Sequence, residues 1–338
     1  MRRSIWPKFI GSVLKLVLPA IVVILLAAVA GSIWLVLLTA DEPPRSTYII
    51  TPERFKQITN NAQEFTEETW VNHDGTSSRG WFVRGTNGAP AVILLHRYGT
   101  DRSWMLNLGV KLYAATGFTV LIPDLRGHGE NPTVKYTSLG GCEAEDLAGA
   151  INFLRAQKAQ VAVKPVKGET AGDKPVGDKL VGPKIGIYGV EIGAVAAMMG
   201  AANSNDVQAL ALDSVPASAD SALQSVVASR TTIASSAIAQ LAGTAAPLYF
   251  LRGCYKSIPL CETAAALSNR KVLLLAGRDA PEWQQSTVAL ASCFGGGANV
   301  QKNTDLQPSG YNLIQTATPE QQEAYNQLVI QFFRDALQ

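Results

Sequence analysis

Histidine is scarce in this chain: among 338 residues only His73, His96 and His128 occur, and none lies beyond residue 128. A mechanism that needs an imidazole base from the C-terminal half is therefore excluded. An excess of one charge is also lacking. Lys and Arg number 29 against 27 Asp and Glu, for a net charge of +2. That falls far short of the clustered basic footprint of nucleic-acid binding, so no nucleic-acid partner is expected. There are four cysteines, Cys142, Cys254, Cys261 and Cys293. No CxxC or His-rich spacing accompanies them, and neither a structural zinc, another metal nor a cofactor is expected. If all four oxidise, three pairings are open, with Cys254 to Cys261 the expected bridge; unpaired, they are small buried hydrophobes.

What the chain does have is apolar residues, 47% of the total, enough for one substantial core and an anchor. Leu16 to Ala40 carries no charge. At about 1.5 Å per helical residue that run exceeds the ~30 Å hydrocarbon core of a bilayer. Pro19 lies near its start and Trp34 near its end, where an interfacial aromatic belongs. Arg2, Arg3, Lys8 and Lys15 precede it and Asp41 and Glu42 follow, which sets residues 1–15 in the cytoplasm. The expectation is a single-pass protein, spanning at 16–40, with its C-terminal domain in the periplasm or outside the cell. Ala28-Val29-Ala30-Gly31 offers a signal-peptidase-like alternative, but the apolar run continues through Leu38, too long for an ordinary signal core.

Residues 41–64, opening with Pro43-Pro44, read as a linker that is helical near Pro52 to Asn61. Glu64 to Val71 and Ser78 to Arg84 flank Asn72-His73-Asp74-Gly75, the pattern of an antiparallel hairpin with His73 in its turn. Five short apolar runs follow, Ala91 to Leu95, Thr119 to Ile122, Ile185 to Tyr188, Ala209 to Leu212 and Val272 to Leu275. Helical patterns separate them at Trp104 to Ala115, Glu143 to Leu154, Ile192 to Ala202 and Ala280 to Ser292, with a last helix from Pro319 to Leu337. Uniformly apolar strands alternating with helices predict an α/β domain over 65–338, its mostly parallel sheet covered on both faces. Residues 163–184, rich in Gly, Pro and Lys and nearly repeating, read as a flexible insertion; residues 214–248, rich in Ala and Ser, read as a helical cap.

Gly189-Val190-Glu191-Ile192-Gly193 falls at a strand-to-helix junction, Leu94-Leu95-His96 with Gly99 follows the first parallel strand, and Asp124-Leu125-Arg126-Gly127-His128-Gly129 follows the next. Together these segments resemble the α/β-hydrolase superfamily, in its esterase, dienelactone hydrolase and serine aminopeptidase branches, from about Phe65 to the C-terminus. The resemblance implies a G-x-S-x-G elbow whose serine is activated by a histidine and an acid. Here the serine position is Glu191, the flanking glycines being kept. The resemblance places Tyr311, in Gly310-Tyr311-Asn312, where the family has its histidine, and Asp279, after the last assigned strand, near the position of the acid. His96, Arg97, Tyr98 and Ile192 fall in the oxyanion-hole region, and Asp124 and His128 at the crevice.

A tyrosine is a poor base at neutral pH, and a glutamate attacks esters weakly. At a helix start Glu191 is expected to stay ionised and fill the oxyanion hole itself, accepting from the amides of Ile192 and Arg97. The expectation is a membrane-anchored, catalytically degenerate pseudohydrolase that binds a small-molecule ligand or a protein partner. The alternatives are a hydrolase of esters, lactones or amides with a non-standard site, using another serine or Glu191 and a histidine, and a purely structural or assembly role for the outer domain.

Overall fold

Strands that are apolar at every position must be covered on both faces, and helices on each side of one sheet meet that demand. The computed structural model describes residues 6–41, 43, 51–54, 65–130, 132–162, 173–230, 235–250, 253–294 and 299–338. β1 (Thr66–Val71) and β2 (Ser77–Val83) form the hairpin, with His73 exposed in its turn. β3 (Ala89–Leu95), β4 (Thr119–Pro123), β7 (Val181–Val190), β8 (Val207–Asp213) and β9 (Lys271–Gly277) build the parallel centre, and β10 (Val300–Leu306) adds an edge. The order of this eight-stranded sheet is β1-β2-β4-β3-β7-β8-β9-β10. From β3 the chain moves outward to β4, and from β7 it moves the other way, so the topological switch point lies between β3 and β7.

One face is covered by α2 (Leu106–Thr116) and α10 (Pro319–Leu337), whose Leu112, Val329 and Phe333 pack on Val92, Leu94 and Val120. The other is covered by α3 (Gly141–Ala156), α4 (Ile192–Ala202) and α8 (Pro281–Cys293), around Leu147, Met198 and Leu290. α10 begins as its sequence predicts: Thr318 Oγ1 accepts from the Gln321 amide at 3.3 Å, with Pro319 at the first helical position. α9 (Leu313–Thr316) is a single turn before it.

Between β8 and β9 three helices form the cap: α5 (Ala219–Arg230), α6 (Ser235–Tyr249) and α7 (Leu260–Ala266). α1 (Trp6–Ala40) is long and apolar enough to cross a membrane. Its last turns pack against α5 and α6, with Val36 and Ala40 buried in the same cluster as the cap residues Leu223 and Ala246.

Several expectations change. Residues 163–184 are not wholly a loose insertion: β5 (Lys158–Ala162) pairs antiparallel with β6 (Asp173–Lys179), and Val181 already belongs to β7. Backbone pairing needs no apolar side chains, which is why composition concealed the ribbon. Residues 163–172 lie outside the described ones. Of the helix expected at Pro52 to Asn61, residues 52–54 are helical and the remainder lies outside the described residues. The bridges are Cys142 to Cys254 and Cys261 to Cys293, in place of Cys254 to Cys261. Proximity along the chain is overruled by packing: Cys254 docks on the start of α3, against Gly141, while Cys261 in α7 faces the end of α8.

Candidate active site

β7 ends on its apolar residues and α4 starts two positions later, which leaves one residue, Glu191, to turn the chain. It does so with φ 51° and ψ −111°, the left-handed side of the map that a side chain rarely adopts. The glycines on either side have no room for a Cβ: one on Gly189 would stand 2.5 Å from the Gly193 carbonyl, and one on Gly193 2.6 Å from that of His96. A second tie is the Glu191 amide, which donates to the Asp213 carbonyl at 3.0 Å. The elbow geometry is therefore complete, with a carboxylate at its apex.

That carboxylate is 1% exposed. The Tyr98 amide donates to its Oε2 at 2.7 Å, and the Ile192 amide at the start of α4 also bonds it. The carboxylate is thus held by two backbone amides, the first that of Tyr98 rather than the expected Arg97. Burial raises the pKa of Glu191, opposed by these amides and by the nearby charge of Arg97. The Arg97 guanidinium instead stacks between rings, 5.0 Å from the centre of Trp104 and 4.5 Å from that of Tyr311.

Neither crevice histidine bonds Glu191 among the described residues. His96 is fully buried, its Nδ1 donating to the Arg97 carbonyl at 2.9 Å and its Nε2 accepting from the Leu125 amide at 3.0 Å. Both nitrogens thus stitch the β3 turn to the β4 turn, and burial holds the ring pKa down to about 4. His128 donates from Nδ1 to the Arg126 carbonyl at 2.7 Å, packs edge-on against His96 and Tyr98, and keeps a buried Nε2 with no partner. Burial and its neighbour His96 also lower its pKa. Asp124 faces the hairpin side, held by Arg79 at 3.3 Å and Arg102 at 3.5 Å; burial lifts its pKa to about 6.

Two acids converge on the loop that carries Tyr311. Asp279 accepts from Ser309 N and Oγ, both at 3.0 Å, and from Asn312 Nδ2 at 2.9 Å. Asp213 accepts from Gly310 N at 3.0 Å, Tyr325 OH at 2.7 Å and Ser214 Oγ at 2.7 Å, and the Tyr325 hydroxyl in turn meets that of Tyr188 at 2.9 Å. Asp213 was not singled out from the sequence. Its signal is a charged residue closing an apolar strand, the pattern that also marks Asp124. Burial raises the pKa of both Asp213 and Tyr311. Beside it, a narrow cleft is lined by Arg97, Trp104, Tyr188, Gly310 and Asn326. Arg97 Nε and Asn326 Nδ2 are buried there without hydrogen-bond partners.

The roof of the crevice is the end of α1. Tyr98, whose amide binds Glu191, donates its hydroxyl to the Thr39 carbonyl at 2.8 Å. Arg230 at the end of α5 donates to the Leu38 carbonyl at 2.7 Å and to the Tyr98 hydroxyl at 3.1 Å. The Thr137 amide donates to Ala40 O at 2.9 Å, and the Tyr249 hydroxyl to Asp41 at 2.6 Å. Among the described residues no group of three or more His, Cys, Asp or Glu is placed to hold a metal.

No protein-family profile matches this sequence, and no characterised protein matches it by sequence. Solved structures do match by shape. An esterase from Pyrococcus furiosus superposes with a TM-score of 0.58 at 18% identity, over 88% of this chain and 100% of its own. A dienelactone hydrolase from Anabaena variabilis gives 0.52 at 14% identity, over 82% of this chain and 99% of its own. An alpha/beta hydrolase from a Penicillium species gives 0.55 at 14% identity, over 81% and 99%. With an eight-stranded mostly parallel sheet, an elbow at Glu191 and these structural relatives, the chain has the fold of the α/β-hydrolase superfamily.

Proposed function

We propose that the protein is a membrane-anchored α/β-hydrolase-fold protein that has exchanged hydrolysis for ligand binding. The observation that carries this reading is the position of Glu191, whose carboxylate accepts from the Tyr98 amide at 2.7 Å inside the hole that a hydrolase keeps for its oxyanion. An acyl group entering there finds the donors it needs already taken by a carboxyl group. No base stands ready to activate water, because Tyr311 stands where the resemblance expects a histidine, His96 is spent on two backbone bonds, and burial lowers the pKa of His128. The unpartnered donors of Arg97 and Asn326 in the adjoining cleft favour a ligand that brings acceptor atoms.

The test is turnover of a panel of acyl esters, lactones and aminoacyl amides by the full-length protein in detergent, beside its Glu191→Ala variant. Neither protein is expected to turn over any of them, and Glu191→Ser is expected to stay unlabelled by a serine-directed phosphonate, since it restores a nucleophile without a base. Robust turnover that disappears in Glu191→Ala would overturn the reading and make the glutamate catalytic.

A further inference from the structure

α1 is free of the domain only in part. From Val17 to Gly31 its side chains are exposed, whereas Ser32, Val36, Thr39 and Ala40 are buried against the cap. The stretch from Leu16 to Gly31 rises about 24 Å at 1.5 Å per residue, which is short of the ~30 Å hydrocarbon core. A span that begins after Lys15 therefore takes its last turn or more inside the membrane from the docked segment. Whatever packs on Ser32 to Val36 enters with it. Trp34, 60% exposed at this level, marks the depth at which an aromatic ring sits between chains and headgroups.

The element that packs most closely along this segment is α6. None of its 15 residues carries a charge, and its outward positions include Leu241 at 48% and Leu248 at 55% exposure. A helix that faces water ordinarily places charges on its outer side. The polar groups of the adjoining stretch of α1 are also turned inward: Ser32 Oγ donates to the Ala28 carbonyl at 2.7 Å and Thr39 Oγ1 to that of Leu35 at 2.9 Å.

From the docked length of α1 and the charge-free face of α6 we infer that α6 is embedded in the outer leaflet beside the anchor, so that the roof of the Glu191 crevice contacts lipid. The inference rests on α1 being retained as the membrane anchor. Its partner is the lipid surface itself. An amphiphile moving laterally in that leaflet reaches the cap without first crossing bulk water.

The experiment uses the full-length protein in vesicles of phosphatidylcholine and phosphatidylglycerol. All four native cysteines are in disulfides, so single cysteines introduced at Leu241, Leu248, Val23 and Val288 take an environment-sensitive fluorophore selectively. Val23 lies on the free part of α1, and Val288, 46% exposed on α8, is the control. The expected result is blue-shifted emission, quenched by lipids brominated on their chains, at positions 23, 241 and 248, and aqueous emission without quenching at 288. Quenching at 23 with 241 and 248 behaving like 288 would overturn the inference and leave the anchor standing. Aqueous emission at 23 as well would overturn both.

Discussion

At the scale of single residues, Glu191 and His96 are both buried polar groups held by backbone hydrogen bonds. Glu191 has a left-handed backbone, and its side chain is answered by two amides. His96 stands at the mouth of the oxyanion loop, yet serves as a backbone clamp between two turns. This role predicts a pH dependence. An imidazole whose pKa falls from 6.5 to about 4 on folding binds its proton more readily in the unfolded chain between those values. Its clamp is therefore undiminished above pH 6.5, and stability is lost as the pH falls from 6.5 towards 4. The slope is at most ~1.4 kcal/mol per pH unit from this one group. Asp124, with its pKa lifted to about 6, acts in the opposite sense, so the measurement is a difference. Urea unfolding of His96→Gln is expected to show lower stability at pH 7 and a flatter approach to pH 4 than the parent.

At the scale of elements, what the sequence revealed depended on how strongly burial was written into it. The five central strands, α4 and α10 were legible because each is uniformly apolar or carries a cap and a proline at its start. β10 was not, since Val300-Gln301-Lys302-Asn303-Thr304-Asp305-Leu306 is polar at most positions. It holds its place at the sheet edge through backbone bonds to β9. The site followed the same rule. Glu191, Ile192 and Tyr98 come together because glycine spacing and strand ends mark them, whereas Asp213 acts through contacts separated by as many as 112 positions, which no local pattern discloses. The disulfide pairing is hidden from the sequence for a related reason, because each bridge joins segments that only the tertiary fold makes adjacent. The bridge from Cys261 to Cys293 ties α7 to the end of α8. Replacing both by Ala is expected to lower stability by ~3 kcal/mol in denaturant unfolding, as the unfolded chain regains the freedom of the closed loop.

At the scale of the whole molecule, the end of α1 and the domain are packed together rather than joined by a free tether. Tyr98, Thr137, Arg230 and Tyr249 all find their acceptors on residues 38–41. A cut that released the domain just after Asp41, as shedding proteases do, would leave these contacts to a severed helix with no bilayer around its apolar side chains. A chain that begins at residue 43 lacks the acceptors altogether. It is expected to lose on the order of 2–4 kcal/mol, from several hydrogen bonds of about 1 kcal/mol each. The Tyr98 amide, which bonds Glu191, should exchange its hydrogen with solvent faster there than in the intact protein. Such a cut therefore unroofs the crevice as it frees the domain, since the end of α1 is what closes over Tyr98.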